Sequence, residues 1–326
     1  MLESVMALSD AGVEQAVVTR ASNPFRLDRI RNKGVRVETA GFNRYWPFPT
    51  RSIIARTIRD FRPEVIQYWM GRAGEFAPQA YRSRSVAWYG GYYKPARFRN
   101  CEWHVGLTQD LLRHIREQGV AENRSAIVHS YADLAGEAPA DRTQFSTPAD
   151  APVALALARL HEKKGLDTLL DAAAMVPGLY VWIAGEGPLG AELKARTTRL
   201  GLDERVRFLG WRNDRGALLA ASTLVAFPSR YEPFGTVTVD AWAAGRPLVA
   251  ADAVGPAAYV VDGVNGLLVP RNDPAALASA MRRVIEDPGL AAQLVAGGRA
   301  SHEAAFTREA FVRDSLAFYA RVAKGG

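Results

Sequence analysis

Two acids, Glu232 and Asp240, flank a glycine and two β-branched residues, Gly235, Thr236 and Val237. An apolar run at 224–227 precedes them, and Gly245 and Pro247 follow. This order reads as a strand, a tight turn containing Phe234, and a helix that opens at Gly235 and closes before Pro247. The first amides of a helix have no acceptor within it and carry partial positive charge, so they favour an anion. The two carboxylates would accept hydrogen bonds from sugar hydroxyls. Thr236 and Asp240 share a helix face, and the Asp240 side chain leans back toward the helix start. A diphosphate flanked by two sugars, a nucleotide-sugar, would satisfy the whole set. Without a ligand, Glu232 reads as an acid favoured by the helix dipole, and the two readings are compatible.

A second pair of candidates follows another apolar run. Arg159 comes directly after 153–158, which places it at the carboxyl edge of a sheet, where ligands bind in open α/β folds. Lys164 follows after four intervening residues, just before Gly165. Either cation alone would read as a solvent-facing loop residue.

The elements that must hold these residues alternate regularly through the second half. Short apolar runs at 153–158, 180–184, 206–209, 224–227, 248–250 and 267–269 read as strands. Between them lie helical patterns on Leu166, Leu169, Leu170 and Ala173, at 191–200, at 218–221 and along the helix of Asp240, with two more at 274–286 and 288–299. Repeated βα units make a parallel sheet with right-handed crossovers. The first half repeats the scheme less regularly, with strands at 15–19, 35–38, 65–68 and 85–88 and helices near 51–60 and 108–119. The expected class is therefore α/β with two domains, an assignment that suits 326 residues. The boundaries are 1–148, including an Ala-, Pro- and Asp-rich linker at about 134–152, then 149–304, then a C-terminal helix at 305–326. Phe311, Leu316, Phe318 and Tyr319 give that helix enough apolar surface to pack back toward the N-terminal domain. The start is unusual. Leu2, Val5, Met6 and Leu8 form a helical face, and strand 15–19 follows at once, whereas a doubly wound domain opens with a strand and a glycine-rich turn. A truncated start, lacking the first strand, is the expectation.

The net charge of +7 is concentrated in residues 1–134, which hold 20 Lys and Arg against 13 Asp and Glu. That excess fits an anionic partner such as a membrane surface or a phosphorylated acceptor, or simply scattered solvated arginine. Zinc spacing, a helix-turn-helix signature and aromatic RNA-binding motifs are missing, which ranks nucleic acid last. No apolar run is long enough to span a bilayer, and the N-terminus lacks signal-peptide character, so a cytoplasmic protein is expected, with peripheral inner-membrane contact as an option. The single cysteine, Cys101, excludes an internal disulfide and reads as a small buried hydrophobe. His104, in an apolar run, reads as a packed core histidine.

With these residues identified, the second half resembles glycosyltransferase family 4, the large group of retaining GT-B enzymes. The resemblance covers about residues 153–305. Arg159 to Gly165 is similar to the family's arginine, lysine and glycine segment, and Gly185, Glu186, Gly187 and Pro188 to its Gly-x-Gly-Pro turn. Phe208 to Trp211 and Phe227 to Ser229 match in place, and Glu232 to Asp240 is similar to its Glu-x7-Glu motif. In the first half, residues 68–73 and the Gly90, Gly91, Tyr92, Tyr93 segment resemble bacterial members that build lipopolysaccharide core or related surface glycans.

The resemblance implies two Rossmann-like domains facing a cleft and a nucleoside-diphosphate sugar donor. It implies that Arg159 and Lys164 neutralise the diphosphate, Glu232 contacts donor-sugar hydroxyls and Asp240 the ribose. Asp at 240 departs from the family's Glu and is one methylene shorter, which implies a weaker or water-mediated ribose contact. Gly185, Gly187 and Trp211 would frame the base, and Phe234, Gly235, Thr236 and Val237 the donor phosphates. Arg72, Tyr92 and Tyr93 would lie on the acceptor side, although a buried aromatic wall is an equal reading for the two tyrosines. The physics is consistent with the cationic roles. Negative charge grows on the β-phosphate as the sugar leaves, and fixed cations there stabilise the transition state more than the ground state.

Residues 185–190 also spell Gly-x-Gly-x-x-Gly, a dinucleotide fingerprint in other contexts. No acid ends the following strand, and the turn belongs to the domain's second unit, so that reading fails. Asp-x-Asp, which holds a divalent cation against a diphosphate in GT-A transferases, is missing from the sequence. A mechanism with neither metal nor cofactor is expected. Three functions are compatible with these features: a retaining transferase acting on a glycan or lipid-linked acceptor, a non-catalytic nucleotide-sugar-binding relic, and a GT-B-fold epimerase.

Overall fold

The apolar runs become short strands, and among the described residues every ladder between them is parallel. A computed structural model describes residues 1–22, 24–134 and 137–325. It divides into two units, Met1–Ser130 with Arg308–Gly326, and Tyr131–Thr307.

The first unit runs α1 (Leu2–Asp10), β1 (Ala16–Thr19), α2 (Pro24–Arg31), β2 (Arg36–Thr39), α3 (Phe48–Phe61), β3 (Ile66–Trp69), α4 (Met70–Gly74), β4 (Ser85–Tyr89), β5 (Trp103–Gly106), α5 (Gln109–Glu117) and β6 (Ser125–Ile127). The chain enters β1 from a helix, as the apolar face of 2–8 indicates. Its strands form two sheets, β1-β2 and β3-β4-β5-β6. Side-chain packing joins them: Val18 of β1 and Ile66 of β3 rest on one cluster of Phe42, Ile54, Ile58 and Phe76.

The second unit runs β7 (Val153–Leu157), α6 (Leu166–Ala174), β8 (Tyr180–Ala184), α7 (Gly190–Arg199), β9 (Val206–Gly210), α8 (Arg215–Ala221), β10 (Leu224–Phe227), α9 (Thr236–Ala243), β11 (Leu248–Ala251), α10 (Val254–Ala257), β12 (Leu267–Val269), α11 (Pro274–Glu286) and α12 (Pro288–Ala305). Its sheet order is β12-β11-β10-β7-β8-β9, the doubly wound order of dinucleotide-binding folds. Leu166, Leu169 and Leu170 of α6 are 0–2% exposed against this sheet. Burial of each such side chain contributes about 2 kcal/mol by area.

The last helix, α13 (Arg308–Lys324), belongs to the first unit. Phe311 and Phe318 are buried, with Phe311 against Trp88 and Phe318 against Trp103, while Leu316 is exposed. Gly326, assigned to this helix from the sequence, lies outside the described residues.

The division falls after Ser130, earlier than the sequence suggested, because most of the presumed linker packs on the second unit. Arg142 donates to Ala221 O at 2.7 and 3.0 Å, Trp182 Nε1 to Thr147 Oγ1 at 3.0 Å, and Arg207 Nε to Phe145 O at 2.8 Å. Residues 135 and 136 of that stretch lie outside the described residues.

Candidate functional site

The strand order of the second unit reverses between β7 and β10. Loops leaving the carboxyl ends of two such neighbours depart in opposite directions and open a crevice suited to a ligand. Here the loop after β7 carries Arg159 and Lys164, and the loop after β10 carries Glu232 and leads into α9.

The two loops are fastened to each other. Arg230 N and Tyr231 N donate to Lys163 O at 2.8 and 3.3 Å. The Arg230 guanidinium donates to Glu162 O at 2.7 Å, Asp167 Oδ2 at 2.6 Å and Thr168 Oγ1 at 3.2 Å. Burial alone would raise the Asp167 carboxyl, but the Arg230 hydrogen bond and charge outweigh it and hold it below the usual carboxylate range. Gly165 has φ +61°, and a Cβ there would fall 2.1 Å from Pro228 O, so only glycine lets the loops meet this closely. The outcome is a hydrogen-bonded ion pair from Lys164 Nζ to Glu232 Oε2, with side chains 25% and 16% exposed.

The turn into α9 is held from behind. Gly255 N donates to Glu232 O at 2.7 Å, and Tyr259 Oη donates to Phe234 O. Phe234 is buried against the rings of Tyr259 and Phe306. Desolvation raises the Tyr259 pKa, so this hydroxyl keeps its proton and remains a donor. Gly235 caps the helix at φ +87°. Thr238 N closes onto Gly235 O at 3.0 Å, which leaves the Thr236 and Val237 amides as the first without an intrahelical acceptor. A Cβ on Gly235 would lie 3.3 Å from Glu232 Cγ, so the Lys164–Glu232 pair stands at this helix tip.

Arg159 is exposed and forms no ion pair among the described residues. The 185–187 turn passes close to the same loop. Cβ atoms at Gly185 and Gly187 would lie 2.1 Å from Ala158 O and 2.3 Å from Leu160 O, and Leu160 N donates to Glu186 O at 3.0 Å. Gly185 N donates to Gly210 O at 2.7 Å, which brings the exposed Trp211 beside that turn. The structure thus gathers Arg159, Lys164, Gly185, Gly187, Trp211, Glu232, Phe234, Gly235, Thr236 and Val237 around one sheet edge.

Asp240 is buried and lies 3.4 Å from Arg215 Nε at the start of α8. Arg215 was not anticipated, nor were Tyr259 and Gly255. Each acts across a distance in sequence that no local pattern encodes, although a glycine beside Pro256 does signal a constrained backbone.

The remaining candidates lie in the first unit. Tyr92 donates to Asp110 and meets His114 edge-on at 5.1 Å, and Tyr93 packs against Tyr89 and Phe98. Arg72 pairs with Glu75 at 3.2 Å and lines a separate cavity that neither tyrosine lines. His104 is buried with Nδ1 3.1 Å from Tyr89 Oη, and burial lowers its pKa to about 4. Burial pushes the Cys101 thiol up to about 12, so it is not a nucleophile. Among the described residues, no three His, Cys, Asp or Glu side chains group to hold a metal ion, and no helix is long and apolar enough to cross a membrane.

Comparison with known proteins adds independent findings. The family described as Glycosyl transferases group 1 matches residues 137–301. Two Rhizobium meliloti (strain 1021) proteins are similar over nearly the whole chain. The lipopolysaccharide core biosynthesis glycosyltransferase LpsE is 31% identical over 94% of this chain and 90% of its own length. LpsD, of the same description, is 32% identical over 97% and 92%. Among solved structures, Anabaena Alr3699/HepE in complex with UDP and glucose superposes with a TM-score of 0.84 at 22% identity, covering 98% of this chain and 95% of that one.

Proposed function

Because the chain belongs to the glycosyl transferases group 1, a glycosyltransferase family of GT-B fold, we propose that it is a retaining enzyme that takes its sugar from a nucleoside diphosphate. The acceptor in this reading is a glycan or lipid-linked saccharide of the bacterial cell surface. Its two R. meliloti relatives carry lipopolysaccharide core biosynthesis in their names, and HepE was solved with UDP and glucose. The enzyme would act in the cytoplasm, at the inner face of the membrane.

The observation that carries the proposal is the Lys164–Glu232 pair at the tip of α9, on the switch point between β7 and β10. Incoming diphosphate would draw the Lys164 ammonium from the carboxylate and meet the Thr236 and Val237 amides from the other side. Glu232, released, would accept from donor-sugar hydroxyls. Arg159, which forms no ion pair among the described residues, would complete the field. As the bond from the anomeric carbon to the β-phosphate oxygen breaks, charge collects on that phosphate, where these groups are already oriented. The departing phosphate would then take the acceptor proton on the same face, so no side-chain nucleophile is needed. These cationic and dipolar groups supply the charge balance in a scheme that needs neither a metal ion nor a cofactor. Trp211 and the 185–187 turn would frame the base, and Asp240 the ribose.

Incubation with UDP-, GDP- and ADP-sugars tests the reading. Transfer to an added acceptor supports it. Conversion of the donor alone would indicate an epimerase, and binding without turnover a relic.

A further inference from the structure

Three arginines converge on one cavity of the first unit. It is open to solvent, measures about 490 Å³ and is lined by Arg20, Arg44 and Arg72 together with Phe42, Asn43 and Tyr45, and among the described residues no acidic side chain lines it. Arg20 follows β1, Arg44 follows β2 and Arg72 follows β3. The cavity therefore lies at the carboxyl ends of parallel strands, the edge where α/β folds bind ligands. Arg72 shares Glu75 with Arg97, at 3.2 and 3.3 Å, and Arg20 and Arg44 form no ion pair among the described residues.

The wall is built rather than loose. Phe42 holds φ +49°, unusual for a bulky residue, with its amide on Thr50 Oγ1 at 3.0 Å and its buried ring edge-on to Phe76 at 5.5 Å. Asn43 Oδ1 accepts from Tyr45 N at 2.9 Å and from Trp46 N at 3.3 Å. These contacts present Arg44, and a Tyr45 that is 93% exposed, at the rim.

We propose that this cavity binds a phosphate group carried by the saccharide acceptor. One guanidinium satisfies a carboxylate in a bidentate pair. Three of them, arriving from separate strand ends, match a dianion with three free oxygens. The amphipathic ring of Tyr45 suits the adjoining sugar. The proposal rests on the reading that the first unit receives the acceptor.

The test uses the full chain with UDP at saturation, titrated with inorganic phosphate at constant ionic strength, and reads the melting temperature. The wild type should gain about 2 °C at tenfold excess over Kd. Arg20→Gln/Arg44→Gln should lose that gain yet keep the UDP shift, and Arg20→Lys/Arg44→Lys should recover part of it. Lys164→Ala should show the reverse pattern. A wild type blind to phosphate, or a glutamine variant with the full gain, overturns the proposal. So does arginine-dependent sedimentation with phosphatidylglycerol vesicles without a phosphate shift, which would assign the cavity to a lipid surface. Loss of the UDP shift in the wild type would instead count against the donor site and leave the cavity result standing.

Discussion

Lys164 and Glu232, 68 residues apart in sequence, form a hydrogen-bonded ion pair at the helix tip where β7 and β10 part. Neither residue is positioned by its own element alone. Arg230, bonded across to Glu162, Asp167 and Thr168, ties the two loops so that the pair can form.

Lys164→Ala should reduce kcat by about 10²–10³, the scale for removing one preorganised charge from a transition state. The pair is partly solvated, so the melting temperature should move little. Steady-state transfer rates and a thermal melt separate the two effects. Wild-type turnover at saturating donor would rule out the phosphate role.

Gly165→Ala should damage stability and donor binding together. The side chain would face Pro228 O at 2.1 Å and sit in the left-handed region. A cost of about 2–4 kcal/mol is expected from strain and clash combined. Urea unfolding measures it, and a loss below about 0.5 kcal/mol would show that the loops are not tightly joined.

Asp240→Asn distinguishes a ligand from a brace. As a ribose contact, Asp240 should raise donor KM about tenfold when changed, with kcat nearly constant. As a brace for Arg215, 3.4 Å away, it should lower the melting temperature and leave KM alone.

Acid should weaken the first unit between pH 6.5 and 4. Burial lowers the His104 pKa from 6.5 to about 4 in the folded state. Between those values the unfolded chain binds the extra proton, so stability rises with pH and its contribution is complete above 6.5. The full swing is about 3 kcal/mol. Burial lowers His129 as well, with the same sign. Urea midpoints should drop as the pH is lowered across this range in the wild type, and more shallowly in His104→Gln.

Much of the second unit was legible because buried parallel strands are written as apolar runs, and all six runs became strands at nearly the expected positions. β5 and β6 were not recognised. One contains His104 and Gly106, and the other is only Ser125–Ile127, too short and polar to show a period. Residues 137–152 look like a linker by composition, yet Arg142, Phe145 and Thr147 bind them to the second unit. Side chains reaching across the fold decided this, and local spacing does not record them. In the site, the glycines and the α9 start were visible from motif spacing. The Lys164–Glu232 and Arg215–Asp240 pairings and the Tyr259 brace depend on how loops meet, and only the folded chain reveals them.

A crystal structure of the full chain with bound UDP tests the central claim most directly. The account predicts the diphosphate between Lys164 Nζ and the Thr236 and Val237 amides, with the Lys164–Glu232 bond broken and Arg159 turned toward the phosphate. A nucleotide bound elsewhere, or a diphosphate that leaves Lys164 on Glu232 and Arg159 in solvent, would contradict it.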